Sequence, residues 1–471
     1  MSHTFDASVL REYDIRGIIG QTLGPDDARA IGRSFATLLR EAGGETVAVG
    51  YDGRMSSPTL EHALCEGLTS GGCNVVRIGL GPTPMLYYAE ASSEQVDGGI
   101  QITGSHNPPN YNGFKMVFQG RPFYGADIRK LGDIAQRGAW SSGSGTVTES
   151  DVMGAYIERL LEGLSGLDRA DLDGLRVGWD AGNGAAGPAL ERLAENLPGE
   201  HHLLFTHVDG HFPNHHPDPT VEANLADLRA LVADKNLDFG VAFDGDGDRI
   251  GAIDGEGRVI WGDQLLMIYA EDVLKSHGGA TVIADVKASR ALFDHVAAHG
   301  GEPLMWKTGH SLIKSKMKET GAPLAGEMSG HVFFADEYYG FDDALYAGVR
   351  LIAAAARLGR SVTELRGAMP AMLNTPEMRF QVDEARKFAA IDEVSERLKT
   401  SPGPQVEDVN ATDGVRVTTK DGWWLLRASN TQDVLVARAE SNSEEGLERL
   451  MAQIDEQLAL SGLERGESAG H

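Results

Sequence analysis

Cysteine is nearly missing from this sequence. Only Cys65 and Cys73 occur among 471 residues, which excludes a disulfide scaffold and a zinc site built from cysteines. Both read as packing residues of a protein kept in a reducing compartment. Positive charge is also short. Lys plus Arg number 42 against 69 Asp plus Glu, a formal charge of −27. A polyanion of that size disfavours non-specific binding to nucleic acid or to an anionic membrane. No apolar run approaches the ~18 residues that a membrane span requires. The stretch up to Asp14 lacks the basic segment and apolar core of a signal peptide, so a soluble cytoplasmic protein is expected. What is present is ordinary for a folded chain: 41% hydrophobic and 24% charged residues, which excludes global disorder. At roughly 150 residues per domain the length predicts about three domains.

Short β-branched runs alternate with longer amphipathic segments. Thr46 to Gly50, Val75 to Ile78 and Gly99 to Thr103 read as strands, and Asp26 to Glu41 and Thr59 to Gly71 as helices. The pattern resumes at Leu175 to Trp179, Phe239 to Phe243 and Thr281 to Ala284. Such alternation predicts α/β units around largely parallel sheets. Ser141-Ser-Gly-Ser-Gly145 is small and polar and reads as a loop or linker. A second change comes near Pro370. Beyond it Thr375 to Val382, Val415 to Thr419 and Trp423 to Leu426 read as strands, with Lys420-Asp-Gly422 as a hairpin turn. The C-terminal region therefore reads as a smaller α+β domain with antiparallel strands.

Ligands of open α/β sheets bind beyond the carboxyl ends of strands, and several loops there carry candidate chemistry. Thr103-Gly-Ser-His-Asn-Pro-Pro109 can hold one hydroxyl, that of Ser105, in a fixed position. It lacks the Gly-x-Ser-x-Gly turn of a hydrolase. Taken alone it also reads as a turn in which Ser and Asn satisfy backbone groups. Asp244-Gly-Asp-Gly-Asp-Arg249 directly follows an apolar strand. Three carboxylates at alternate positions suit a hard cation such as Mg²⁺, and without one they repel. The spacing fails as an EF-hand, because Arg249 stands where Gly is needed and Gly255 where Glu is needed. Gly326-Glu-Met-Ser-Gly-His331 offers donors and acceptors suited to sugar hydroxyls, and Lys307-Thr-Gly-His310 adds a base candidate. Arg427-Ala-Ser-Asn-Thr431 presents a guanidinium fork and short polar side chains to a phosphate, though alone it also reads as a polar hairpin loop.

Together, in this order, the four loops resemble the α-D-phosphohexomutase superfamily, in particular its bacterial phosphomannomutase/phosphoglucomutase group. The resemblance runs from Glu12-Tyr-Asp-Ile-Arg-Gly17 to beyond the Arg427 loop, nearly the whole chain. It implies three related α/β domains plus a C-terminal TBP-like α+β domain around a central cleft. The expected division is 1–150 with the phosphoserine loop, 151–258 with the metal loop, 259–370 with the sugar-binding loop and 371–471 with the phosphate-binding loop. The boundary between the second and third domains comes from the resemblance alone.

The implied reaction reversibly converts hexose 1-phosphate, of mannose or glucose, to hexose 6-phosphate. By the resemblance, Ser105 carries a phosphoryl group that passes to the sugar, giving a bound 1,6-bisphosphate, and is recovered from the other position. Asp244, Asp246 and Asp248 hold Mg²⁺ with an oxygen on Ser105, and glucose 1,6-bisphosphate serves as activator. Arg16, Lys115 and Arg249 stabilise the transferring group. His310 and Lys115 are acid/base candidates, and Tyr13, His106 and Lys287 match cleft positions. Glu327, Ser329 and His331 bind sugar hydroxyls, while Arg427, Ser429, Asn430 and Thr431 grip the non-reacting phosphate. Asp433, after the phosphate loop, is expected to face solvent.

An acidic chain acting on anions needs a locally positive cleft, expected from Arg16, Lys115, Arg249, Lys287 and Arg427. The partners implied are small sugar phosphates, with neither nucleic acid nor membrane, and the resemblance leans to a monomer. Two rivals stand. Phosphoglucosamine mutase is the nearer, but usually carries Gln where Met328 stands. The other is a non-catalytic sugar-phosphate-binding protein with the same fold.

Overall fold

The computed structural model describes residues 2–430 and 432–466. Its strands assemble into four separate sheets, so the chain divides into more units than length alone predicts. The first sheet runs, edge to edge, through Ile15–Ile18, Tyr111–Phe118, Gly98–Ile102, Thr46–Tyr51, Asn74–Leu80 and Val147–Glu149, with Arg121–Pro122 hairpinned onto Tyr111–Phe118. Its centre is parallel and its Tyr111–Phe118 and Ile15–Ile18 side is antiparallel. The Ser141–Gly145 stretch has no regular structure and leads into the edge strand Val147–Glu149.

The second sheet places Phe239–Phe243 between Arg176–Asp180, parallel to it, and Ile250–Asp254, antiparallel. Every residue of Phe239–Phe243 is buried, as its unbroken apolar sequence requires of a central parallel strand. Val259–Ile260 closes one edge of this sheet, just past the expected boundary at 258. The third sheet has Thr281–Asp285 parallel to both Glu302–Trp306 and Leu324–Gly326, with Val332–Phe334 antiparallel at the edge.

The fourth sheet is wholly antiparallel, and Val434–Ser441 pairs with Gly422–Ala428, Met378–Gln381 and Leu373–Asn374. The helices Glu384–Thr400 and Glu444–Leu460 supply Val394, Leu398, Leu450 and Ile454 to the core that it shares with Trp424 and Leu426. In the hairpin the two-residue turn is Lys420-Asp421. Gly422 opens the second strand at φ +139° with its Cα against the Glu440 carbonyl, a position a Cβ could not share.

One apolar core runs through the second and third units and takes in Met85 and Leu86 of the first unit's helix Thr83–Ala91. The helix Ala344–Leu358 is its spine. Asp343 caps its start, accepting from Tyr346 N at 2.9 Å, and left-handed Gly359 ends it. The remainder of the first unit and the fourth unit have cores of their own. Cys65 and Cys73 are free and buried, and burial pushes their thiols up to about 12 and about 11. Among the described residues no helix is long and apolar enough to cross a membrane.

Candidate active site

The four units surround a cleft of about 1040 Å³. The first lends Arg16 and the His106–Pro108 turn, the second Asp218 and Arg249, the third Lys287, Met328 and Ser329, and the fourth Glu377, Arg379 and Arg438. Ser105 lies just beneath this surface, 2% exposed, with φ +48°. A non-glycine residue there is uncommon and needs its surroundings to hold it.

Arg54 supplies that hold. It is 1% exposed, and its guanidinium donates to the carbonyls of Ser105, Asn107, Pro108 and Tyr111 at 2.6–2.9 Å. Asp52 completes the clamp, 3.2 Å from Arg54 Nε, and accepts from Gly104 N and Ser57 Oγ. Residue 104 must be glycine, since a Cβ would stand 2.3 Å from Arg54 Nε. Neither Arg54 nor Asp52 was singled out from sequence. The available signal was position alone: Asp52-Gly-Arg54 follows the strand Thr46–Tyr51, at the same end of the sheet as the serine loop.

Ser105 Oγ donates to Asp244 Oδ2 at 2.9 Å and lies 3.1 Å from His106 Nδ1. The backbones meet as well, for a Cβ on Gly245 would fall 2.3 Å from the Ser105 carbonyl oxygen. Asp244, Asp246 and Asp248 are fully buried, with one carboxylate oxygen of each within 4.8 Å of the others. Lys115 Nζ bridges Asp246, at 2.8 Å, and Asp248. Thr83 Oγ1 donates to the same oxygen of Asp246. Among the described residues Asp246 Oδ1 and Asp248 Oδ1 are left without a hydrogen-bond partner. Buried, unsatisfied carboxylate oxygens beside a third carboxylate fit a hard divalent cation.

His331 Nε2 accepts from Arg249 Nε at 3.0 Å, so that nitrogen carries no proton, and Nδ1 lies 2.9 Å from Asp342 Oδ2. His310 stacks on His331 at 5.5 Å, and Lys314 pairs with Asp342 at 2.9 Å. Asp342 thus gathers both expected histidines and was itself missed. Glu327 is 3% exposed and accepts from Gly309 N, and Ser329 Oγ stands 3.5 Å from it. Arg427 is buried against Asp413 at 3.0 Å, and Asn430 Nδ2 donates to the Tyr13 hydroxyl, which donates to the Thr308 carbonyl. The fourth-unit loop therefore touches the first and third units. Ser429 accepts from Gln432 N, and Thr431 lies outside the described residues.

The family description Phosphoglucomutase/phosphomannomutase, alpha/beta/alpha domain I, matches residues 7–141. Domains II and III of the same description match 154–257 and 261–372, and its C-terminal domain matches 377–457. The chain belongs to the phosphoglucomutase/phosphomannomutase family. It is 44% identical over 455 residues to the phosphomannomutase/phosphoglucomutase of Pseudomonas aeruginosa, covering 97% of this chain and 96% of that one. It is 42% identical to the phosphoglucomutase of Neisseria gonorrhoeae over 445 residues, 94% and 95% of the two chains. The crystal structure of a phosphoglucomutase/phosphomannomutase family protein from Burkholderia thailandensis superposes with a TM-score of 0.90 at 43% identity, covering 98% of each chain. The N-acetylphosphoglucosamine mutase of Aspergillus fumigatus, at 13% identity and a TM-score of 0.63, shares the fold alone.

For this family member the five expected cleft cations divide. Arg16, Arg249 and Lys287 line the cleft, whereas Lys115 sits beside it paired with the buried Asp246, and Arg427 sits beside it paired with the partly buried Asp413. Arg11, Arg379 and Arg438 take their place, so the lining carries six cations against Asp14, Asp218, Glu222 and Glu377. The cleft is thus locally positive on a chain of −27.

Electrostatics of the buried groups follow their neighbours. Burial, reinforced by Asp246 and Asp248, drives Asp244 well above the ordinary carboxylate range. At Asp246 burial pushes the same way, but Lys115 overrides it and holds the group below that range. Lys115 itself loses by burial and gains more from Asp246 and Asp248, which keep it charged. Burial, with Arg249 and Arg16 close by, holds His106 well below the usual imidazole value, and burial with Lys314 does the same to His310. Both rings are therefore neutral at pH 7. Burial pushes Asp285, in a pair with Lys287, up to about 6. Asp433 is 58% exposed and faces Lys387 at 3.7 Å, in line with the expectation for it.

Proposed function

We propose that the chain is a phosphohexomutase that reversibly interconverts the 1- and 6-phosphates of mannose and glucose. The observation that carries this reading is the Ser105 hydroxyl, 2.9 Å from the first of three buried aspartates at the floor of a positive cleft to which all four units contribute. Phosphoryl transfer asks the protein mainly for positioning and charge neutralisation. The residues described above supply both.

In this reading Ser105 carries the phosphoryl group in the active enzyme. The P–Oγ bond breaks as a bond forms to the free hydroxyl of a hexose monophosphate. The proton of that hydroxyl passes to a neutral acceptor, His106 or His310, and Ser105 takes up a proton in its place. The resulting 1,6-bisphosphate reorients, and Ser105 recovers the phosphoryl group from the other carbon. Arg16 and Arg249 face the transferring oxygens from the cleft wall, and Lys115 adds charge from behind. Met328 and Ser329 meet the sugar, with Glu327 and His331 supporting their loop. Arg427, Ser429, Asn430 and Thr431 hold the distal phosphate, with Tyr13 and Lys287 beside them. Asp244, Asp246 and Asp248 would hold Mg²⁺, which when bound supplies Lewis-acid stabilisation of phosphoryl oxygens.

The relatives above 40% identity are named for mannose and glucose phosphates, and Met328 keeps the loop of that group. A division at about 150, just after Ile260 and at about 370 accompanies this reading, with a cytoplasmic monomer requiring no macromolecular partner. Intact mass before and after exposure to glucose 1,6-bisphosphate, paired with a mannose 1-phosphate assay, tests it. The expected result is one added phosphoryl group, absent in Ser105→Ala, together with turnover. Undiminished turnover by Ser105→Ala removes the phosphoserine role. Turnover of glucosamine 6-phosphate above that of mannose 1-phosphate reassigns the substrate.

A further inference from the structure

A second cluster of metal-ligating side chains lies in the third unit, on helices that do not line the cleft. His295 lies in the helix Arg290–Ala298, and His299 is its C-cap. Four residues apart, they fall on one face, with ring centroids 4.1 Å apart. Glu271 faces them from the helix Gly262–Ser276, and its Oε2 is 3.8 Å from Nε2 of each histidine. The three ligand atoms all lie within 4.8 Å of one another. The reaction proposed above uses none of them.

The free valences point inward. His299 Nδ1 stands 2.9 Å from the His295 carbonyl. A carbonyl only accepts, so Nδ1 carries the proton and Nε2 presents its lone pair. That backbone bond is the support a metal-bound imidazole ordinarily has. His295 Nε2 is buried and has no hydrogen-bond partner among the described residues. Arg360 pairs with Glu271 Oε1, which leaves Oε2 to the histidines. A small cavity of about 40 Å³ borders Glu271, His295 and Arg360.

We infer that Glu271, His295 and His299 form a metal site of their own for a divalent transition cation of the Zn²⁺ class. Two imidazoles and one carboxylate suit Zn²⁺, Co²⁺ or Ni²⁺, whereas an all-carboxylate cluster suits Mg²⁺. Ligands about 2.0–2.1 Å from a tetrahedral centre stand about 3.3 Å apart, so the observed 3.8 Å spacings close with small side-chain rotations. Occupancy ties the two helices together.

The test uses the full-length protein, stripped with a chelator and returned to excess Mg²⁺ to saturate hard carboxylate sites. Zn²⁺ is titrated by calorimetry and Co²⁺ by visible absorption. One equivalent of Zn²⁺ is expected to bind despite the Mg²⁺. Affinity is expected to fall by about tenfold or more in both His295→Ala and His299→Gln, with the Co²⁺ bands of a nitrogen-ligated ion lost in parallel. His299 is 35% exposed, so its replacement leaves folding intact, which a metal-free melting curve checks. Absence of any Zn²⁺ equivalent in excess Mg²⁺, or binding by both variants equal to the parent's, overturns the inference.

Discussion

The seam between the first and second units and the seam between the third and fourth are built from different materials. At the first, charge is buried against charge. Ser105 meets Asp244, Lys115 meets Asp246 and Asp248, and Arg54 locks the serine loop through four carbonyls. At the second, one ion pair, Lys287 with Glu377 at 3.1 Å, stands beside arginines that reach across to backbone. Arg416 donates to the Val286 and Ala288 carbonyls and Arg438 to that of Lys287, around a small apolar contact of Val286, Trp423 and Leu425. The difference matches the work each seam would do. A reacting hydroxyl must be held to a fraction of an ångström, whereas a group gripping the far phosphate must let a bisphosphate turn. A polar, small interface permits relative domain motion.

Substitutions at the two seams should therefore differ in kind, and the largest effect belongs to the first. Ser105→Ala is expected to lower mutase turnover by about 10³-fold or more, equivalent to roughly 4 kcal/mol. The melting temperature should stay near the parent's. Steady-state rates with mannose 1-phosphate measure this, and a loss under tenfold would break the contrast. Arg54→Ala comes next. It strands four carbonyls and the buried Asp52, and a cost of about 3–5 kcal/mol is expected, read as a lowered melting temperature together with lost activity.

A third measurement sharpens the comparison through a carboxylate that has hydroxyls instead of a cation. Asp343 accepts from Tyr156 and Tyr338, and burial pushes it up to about 6, against about 3.9 when unfolded. Its folded pKa is raised, so its contribution is complete below about pH 4 and lost as pH rises through 6. The shift is worth roughly 2–3 kcal/mol. Calorimetric melting between pH 4 and pH 7 should show that slope, and Asp343→Asn should flatten it. An unchanged slope would refute the assignment.

The smaller effects belong to the fourth unit. Asn430→Ala removes the contact with Tyr13 and is expected to cost about 1 kcal/mol, raising KM several-fold with kcat nearly kept. A fall in kcat alone would place Asn430 with the reacting group and erase the distinction. Asp433→Ala, at an exposed site facing Lys387, should change stability by less than about 0.5 kcal/mol and KM hardly at all.

Local chemistry was legible in the chain itself. The apolar run Phe239–Phe243 reads as a buried strand, and three aspartates spaced by glycines at its end repel unless a counter-charge meets them. The change to antiparallel pairing after Pro370 was equally plain, because hairpin turns and alternating strands are short-range features. Long-range partners were not legible. Arg54 acts through carbonyls 51–57 residues away, and Asp342 joins His310, His331 and Lys314. No spacing rule encodes either contact. Lys115 and Arg427 carry the expected charge, but packing set them against Asp246 and Asp413 while Arg379 and Arg438 took up the cleft wall. Residue type and local period depend on neighbours a few positions away. The direction a charged side chain finally takes depends on which distant groups must be neutralised out of water, and only the assembled units decide that.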